Sequence, residues 1–216
     1  MGIKNIYFVR HGQSEANLKG VRQGLAGDLT DFGRKQADYV GRRLKTLPIE
    51  AIISSTSPRA SQTAEIINQY LKVPFQSSPL LVEKGNPSSI LGQLSSQDSV
   101  IEIQDLIFDR FITEPDFHYE DAESFTDLKN RARKALALIA NFPADNIAVV
   151  THGAFLRMLM LYIFYQDEVL GRDYINFFGA VKTTNTGVTW CTYNPEQDSN
   201  PWTLVTYNDQ NHLAEF

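Results

Sequence analysis

The dipeptide His-Gly occurs twice in the 216-residue chain, and each time it closes a short apolar run. The first is Ile6-Tyr7-Phe8-Val9-Arg10-His11-Gly12; the second is Ile147-Ala148-Val149-Val150-Thr151-His152-Gly153. Runs of four residues without a charged side chain read as strands covered on both faces. In open α/β sheets, ligands bind outside the carboxyl ends of such strands, so both histidines are expected on one rim. Arg59 joins them by the same reasoning. It follows the run Ala51-Ile52-Ile53 and the polar turn Ser54-Ser55-Thr56-Ser57, on the first turn of a helix opened by Pro58. A helix start offers free N–H groups and partial positive charge to an anion. Guanidinium groups match phosphate oxygens through paired hydrogen bonds. Arg10, Arg59, two imidazoles and helix-start amides together imply a phosphate ligand or a close mimic of one.

Glu83 ends a third extended piece, Phe75 to Val82, which places it at the same rim. Beside a phosphate its carboxyl is discouraged from ionising, because like charges repel. It could then hold a proton for a leaving alcohol. His11, next to Arg10 and Arg59, is discouraged from protonating, and a neutral imidazole can attack phosphorus. Opposite environments thus give one nucleophile and one acid. Taken singly, each residue has an ordinary explanation: a packed histidine, a solvated helix arginine, a surface acid. Joint placement on one rim is what lifts the set. Two histidines and Glu83 could also be metal ligands, but His-Glu-x-x-His, paired Cys-x-x-Cys and clustered aspartates are missing; no metal and no organic cofactor are expected. His118 and His212 receive no chemistry. The glycine-rich phosphate loop, the dinucleotide fingerprint and the serine-hydrolase elbow are also missing from the sequence.

The elements that must position these residues alternate in type. Ala37, Val40, Leu44 and Leu47 recur at helical spacing, with the helix stopping near Pro48. Pro58 to Leu71 forms the next helix, with Ala60, Ala64, Ile67 and Leu71 inward. Val100, Ile103, Ile107 and Phe111 suggest another, and Phe125, Leu128, Ala132, Ala135 and Ile139 a clearer one. Ala154 to Tyr165 is an almost wholly apolar helix; Gly187 to Tyr193 and Trp202 to Tyr207 read as an edge hairpin. Such alternation predicts one α/β domain over residues 1–216, a three-layer α/β/α sandwich. Its sheet is mostly parallel with an antiparallel edge, and residues 85–119 form a helical excursion across one end.

Composition bounds the rest. Hydrophobic residues make up 43% and charged residues 21%, enough for a core without staples. The net charge of −5 argues against a general nucleic-acid partner. No apolar run reaches the length a membrane span needs, and the N-terminus before the first motif is too short for a signal peptide. The lone Cys191 has no internal partner, which favours a reducing, cytoplasmic home and a packing role in a late strand.

Together these motifs resemble the histidine phosphatase superfamily, also called the phosphoglycerate mutase-like family, and its small phosphatase branch. Arg10-His11-Gly12-Gln13-Ser14-Glu15-Ala16-Asn17 matches its opening signature. Gln23-Gly24 and Leu29 to Ala37 match the segment after it, and Ser57 to Ala64 the second arginine motif. Glu123-Ser124, Val150-Thr151-His152-Gly153 and Asn208 to Leu213 match later blocks. The resemblance implies that His11 is transiently phosphorylated, with Arg10, Asn17, Arg59 and His152 holding the phosphoryl group. Ser14, Gln23, Gly24 and Gly153 would line the same pocket, and Glu83 would act as proton donor and then as base. It implies no metal or cofactor. Two departures stand out: Glu83-Lys84-Gly85-Asn86-Pro87 replaces the family's usual segment after the acid, and Ala122-Glu123-Ser124 replaces Gly-Glu-Ser. The longer arginine-bearing insertion of the glycolytic mutases is missing, which favours hydrolysis.

The expected activity is therefore that of a phosphomonoesterase on a small-molecule phosphoester. The alternatives are mutase-type phosphoryl transfer and a weakly catalytic phospho-ligand binding module. Neither nucleic acid nor membrane is expected as a partner; a homodimer is an option. Residues 85–119 should set the substrate. They carry few basic groups, which predicts that substrates with several phosphates are disfavoured. Leu91, Leu94, Ile107, Phe108 and Phe111 either line an apolar leaving-group pocket or pack the core.

Overall fold

The computed structural model describes residues 2–214. Six strands form one mixed sheet: β1 (Lys4–Arg10), β2 (Ala51–Ser55), β3 (Phe75–Ser78), β4 (Asn146–Thr151), β5 (Val188–Tyr193) and β6 (Trp202–Asp209), in the order β3-β2-β4-β1-β5-β6. β1 to β4 run parallel; β5 lies antiparallel against β1, with β6 outside it. The helices are α1 (Glu15–Lys19), α2 (Asp31–Leu44), α3 (Pro58–Leu71), α4 (Asp98–Thr113), α5 (Phe125–Ala140), α6 (Gly153–Tyr165) and α7 (Gly171–Ala180).

The central strands are apolar throughout because each feeds two cores. Ile6, Phe8, Ile53, Ile147 and Val149 face the layer of α5 and α6. Tyr7, Val9, Ile52, Ala148 and Val150 face α2 and α3. Successive side chains on a strand point to opposite faces, so an alternating polar pattern would expose one core to water. The α/β/α sandwich with its antiparallel edge is thus as the sequence predicts. Local signals start the helices: the Thr30 hydroxyl accepts from Gly33 N at 2.9 Å to cap α2, and the Ser124 hydroxyl accepts from Asp127 N at 3.1 Å to cap α5.

Some elements differ from the sequence expectation. α2 ends at Leu44 rather than Leu47. The third extended piece stops at Ser78, and Pro79–Leu81 forms a 3-10 turn. Proline cannot donate to a ladder, and the Ser78 hydroxyl accepts from Leu80 N at 3.3 Å instead. α1 and α7 were not foreseen. A five-residue helix is too short to show a period, and α7 opens on Leu170, whose backbone N–H is satisfied by Asp173 at 2.9 Å rather than by a polar cap.

Residues 85–119 do hold a helix, α4. It packs on α7 through aromatic side chains: ring centroids lie 5.9 Å apart for Phe111–Tyr174 and 5.5 Å for Phe108–Phe178. Ile107, Phe108 and Phe111 therefore belong to core packing rather than to a ligand pocket. Leu94 is exposed beside its bridge partner Val21, and Leu91 alone of the five lines the cavity next to Glu83.

Candidate active site

Strand register brings the two His-Gly pairs together. Arg10 is paired with Thr151 across β1 and β4, so His11 and His152 are the next residues on adjacent strands. His11 N donates to Thr151 O at 3.0 Å, and the imidazole centroids are 5.0 Å apart. Both rings are buried, at 2% and 0% exposure. The hydroxyl of Ser55, at the end of β2, lies 2.8 Å from His152 Nε2, while His152 Nδ1 is buried with no hydrogen-bond partner among the described residues.

The tautomer of His11 follows from its two contacts. Its Nδ1 is 2.7 Å from Gly12 O, which can only accept, so Nδ1 carries the hydrogen. Nε2 then holds a lone pair and accepts from Arg59 Nε at 3.2 Å. Burial, followed by the neighbouring His152, Arg10 and Arg59, holds the imidazole well below its ordinary pKa. For His152, burial, Arg59, Arg10 and Arg131 act in the same direction. The neutral form of His11, with its lone pair on Nε2, is thus favoured. Gly12 lets this happen: a Cβ there would stand 2.4 Å from Gly33 O. The close approach seats the loop after β1 against the start of α2.

Glu83 reaches the rim by way of the 3-10 turn, and Arg131 of α5 fastens that turn. Its guanidinium donates to Leu80 O at 3.2 Å, Val82 O at 2.7 Å and Glu83 O at 3.3 Å. It is itself held by Glu123 through two bonds of 2.7 Å. The Glu83 carboxylate accepts from Phe155 N at 2.8 Å and Ala154 N at 3.2 Å, at the start of α6, and from Lys84 N at 2.9 Å. Burial pushes its pKa up, but the backbone donors of Lys84, Phe155 and Ala154, with Arg59, outweigh it, and the carboxyl sits below its ordinary value. The protein's own groups thus favour ionisation, opposite in direction to the repulsion expected at the sequence level from a neighbouring phosphate. Helix-start amides favour its ionised form.

Arg10 donates through Nη1 to Thr183 O, and its Nε is buried without a partner among the described residues. Its side chain lies over Gly153, where a Cβ would be 3.3 Å from Arg10 Nε. Arg59 spans the site: besides His11, it donates through Nη1 to Gly24 O at 3.0 Å and Leu25 O at 3.2 Å. Arg10, His11, Arg59, Glu83, His152 and Gly153 thus share one rim, as expected.

Ser14, Asn17, Gln23 and Gly24 stand one step removed. The Ser14 hydroxyl caps α1 and donates to Gln23 Oε1 at 2.9 Å. Asn17 Oδ1 accepts from Asn185 Nδ2 at 3.2 Å, and the same Asn185 amide donates to His11 O at 2.9 Å. Gln23 and Gly24 line a cavity of about 520 Å³ beside Glu83. His118, set aside at the sequence level, lines that cavity too and pairs with Asp127 at 2.6 Å. His212 lies elsewhere, bonded to Thr186 at 3.1 Å. Cys191 is buried in β5, and burial pushes its thiol up to about 12, as befits a packed residue.

Sequence reasoning missed Arg22, Lys84, Arg157 and Asn185, and the pairing of Arg131 with Glu123. Two of these left a signal. Lys84 adjoins Glu83, and Arg157 lies four residues past Gly153, on the same helix face. Asn208 was noted only as part of a late pattern. Its Oδ1 accepts from Thr184 N at 2.9 Å, fixing the loop that carries Thr183 and Asn185.

Comparison with known proteins agrees with this geometry. A sequence profile of the histidine phosphatase superfamily (branch 1) matches residues 6–210. The chain is 27% identical over 213 residues to the "uncharacterized phosphatase PhoE" of Bacillus subtilis, covering 98% of this chain and 97% of that one. It is 28% identical over 216 residues to the "probable phosphoglycerate mutase GpmB" of Proteus mirabilis, covering 97% and 95%. Over 162 residues it is 30% identical to the "putative phosphoserine phosphatase 2" of Hydrogenobacter thermophilus, covering 73% and 77%. Among solved structures, YhfR of Bacillus stearothermophilus superposes with a TM-score of 0.78 at 27% identity, covering 97% and 98%. Match to the family profile over nearly the whole chain, together with the paired His-Gly rim, places this protein in the histidine phosphatase superfamily.

Proposed function

We propose that the protein is a phosphomonoesterase that works through a phosphohistidine on His11. The observation that carries this reading is the Nε2 lone pair of His11, presented by the Gly12 contact and flanked by Arg59. In the first step Nε2 attacks phosphorus in line, the P–O bond to the leaving group breaks, and Glu83 gives that oxygen a proton. In the second, a water attacks the phosphohistidine while Glu83 takes its proton. The P–N bond then breaks and phosphate leaves. Arg10, Arg59 and His152 hold the phosphoryl oxygens. The buried, unpartnered Arg10 Nε and His152 Nδ1 would gain hydrogen bonds on phosphate binding. Asn17, Ser14, Gln23 and Gly24 shape the loop against which Arg59 is held. No step is assigned to a metal or cofactor, and residues 85–119 cap the pocket through Gly85, Asn86, Leu91 and His118.

A second reading, transfer of the phosphoryl group back to a bound sugar acid, draws on the full-length likeness to a probable phosphoglycerate mutase. Isomerisation of phosphoglycerate faster than its hydrolysis would favour it. The test of the first reading is aryl phosphate hydrolysis in excess chelator, with acid-labile, alkali-stable phosphoenzyme trapped by rapid quench. Wild type should release phosphate and show phosphoenzyme, and folded His11→Ala should do neither. Undiminished turnover by His11→Ala would end the proposal.

A further inference from the structure

Beside the phosphoryl pocket lies a second cavity, of about 290 Å³, lined by Arg10, Arg22, Glu83, Lys84, Gly153 and Arg157. Four cations and one carboxylate share it. Arg10 is the only one of the four cations assigned to the phosphoryl group above. Among the described residues, none of Arg22, Lys84 and Arg157 forms an ion pair within 4 Å. Each is nonetheless held in place. Lys84 is 4% exposed and its ammonium reaches only Asn86 Oδ1, at 3.3 Å. Arg157 donates through Nε to Val181 O at 2.9 Å and stacks on Phe178, its guanidinium carbon 4.6 Å from the ring centroid. Arg22 is fixed through its backbone, which bonds to Gln93 O and Gly92 N at 2.9 Å, while its buried Nε has no partner among the described residues. Burial draws Lys84 down to about 8, with Arg22 acting the same way against Glu83 and Glu123, so it is largely charged at neutral pH.

Lys84 is buried and Arg22 and Arg157 are half-buried, and cations withdrawn from water without a carboxylate in contact are costly unless an anion completes them. One phosphoryl group uses Arg10 and Arg59 and leaves three cations unanswered. We propose that Arg22, Lys84 and Arg157 form a second anion subsite that recognises a carboxylate or further phosphate on the leaving group. The preferred substrates are then phosphomonoesters of anionic alcohols. This reverses the sequence-level expectation, which looked for basic residues in 85–119, whereas Arg22, Lys84 and Arg157 all lie outside it. The subsite rests on the phosphatase reading of the adjoining pocket.

Two matched pairs of compounds test it: glycerol 3-phosphate against 3-phosphoglycerate, and propyl phosphate against propane-1,3-diol bisphosphate. The first pair reports a carboxylate and the second a phosphate. In wild type, kcat/KM should favour the more anionic member of at least one pair by roughly tenfold or more. Arg22→Gln and Lys84→Gln should each shrink that ratio to within roughly threefold of unity. Calorimetric Kd values for the same compounds on folded His11→Ala should show the same preference, lost on adding Arg22→Gln. A Kd ratio near unity there, or a preference untouched by both substitutions, would overturn the subsite. Retained Kd preference without turnover in wild type would instead remove the phosphatase reading and leave the subsite standing.

Discussion

Glu83 is the residue where chemistry and electrostatics pull hardest against each other. Three backbone donors favour its ionised form, which suits the base proposed for the second step. As acid in the first step it needs a proton that the arriving phosphate must make favourable. Substitution by glutamine separates the two duties. Glu83→Gln retains an oxygen to accept from Phe155 N but can neither give nor take a proton. With an alkyl phosphate, kcat should fall about 10²- to 10⁴-fold, the usual span for general acid–base groups. With a nitrophenyl phosphate, whose leaving group needs no proton, the first step should survive and the second fail. Phosphoenzyme should then accumulate to near one equivalent per chain in Glu83→Gln but not in wild type. Equal losses on both substrates, without accumulation, would deny Glu83 the base role.

Among the elements, the one that decides Glu83's position is the α5 surface, through Arg131 and Glu123. This pair is 14% exposed on each side, and Arg131 also ties down the carbonyls of Leu80, Val82 and Glu83. Removing the guanidinium leaves Glu123 without its partner and the turn unfastened. Arg131→Met should lower stability by on the order of 3 kcal/mol and reduce kcat more than it raises KM. Arg131→Lys should recover stability in part but not kcat, because an ammonium cannot serve three carbonyls and a carboxylate at once. Urea titration with steady-state kinetics checks both; a variant with unchanged kcat would show that the turn needs no such anchor. The same element shows what the sequence could and could not tell. His11, His152 and Arg59 were legible because each ends or follows an uninterrupted apolar strand, and strand register does the rest. Glu83 was placed correctly although β3 ends early, since the 3-10 turn returns the chain to the rim. Its ionisation state was not legible, because it depends on amides of α6 that lie some 70 positions away. The meeting of Arg22, Lys84 and Arg157 was not legible for a related reason, although Lys84 beside Glu83 and Arg157 one turn past Gly153 each left a local signal. No local period or composition marks three cations that meet only in space.

At the scale of the whole molecule, burying two neutral histidines ties the active site to acid stability. Both imidazoles sit well below their ordinary pKa in the fold, chiefly through burial. The unfolded chain protonates them near pH 6.5. Below that pH the unfolded state binds protons that the native state refuses, so stability falls as pH falls through this window. Each site contributes a slope of up to about 1.4 kcal/mol per pH unit, about 2.7 for the pair, until the native pKa values are reached; His212, drawn down to about 4 chiefly by burial, adds a third site of the same sign, about 4.1 in all. Glu83, Asp127 and Asp209, whose carboxyls are held below their ordinary values, add to the loss only at lower pH, near and below 4. Lys84 acts in a separate window: held at about 8, it makes stability rise with pH between there and its ordinary 10.5. In phosphate-free buffer, urea unfolding of wild type from pH 7 to pH 5 should therefore show a steep decline. His152→Gln should flatten that slope by about a third, since one of three titrating imidazoles is gone, whatever its stability at pH 7. An equal slope in the two proteins would mean that His152 takes up its proton as readily in the fold as outside it. The neutrality on which the proposed nucleophilic role of His11 depends would then need a different source, because the two rings share one burial and the same pair of arginines.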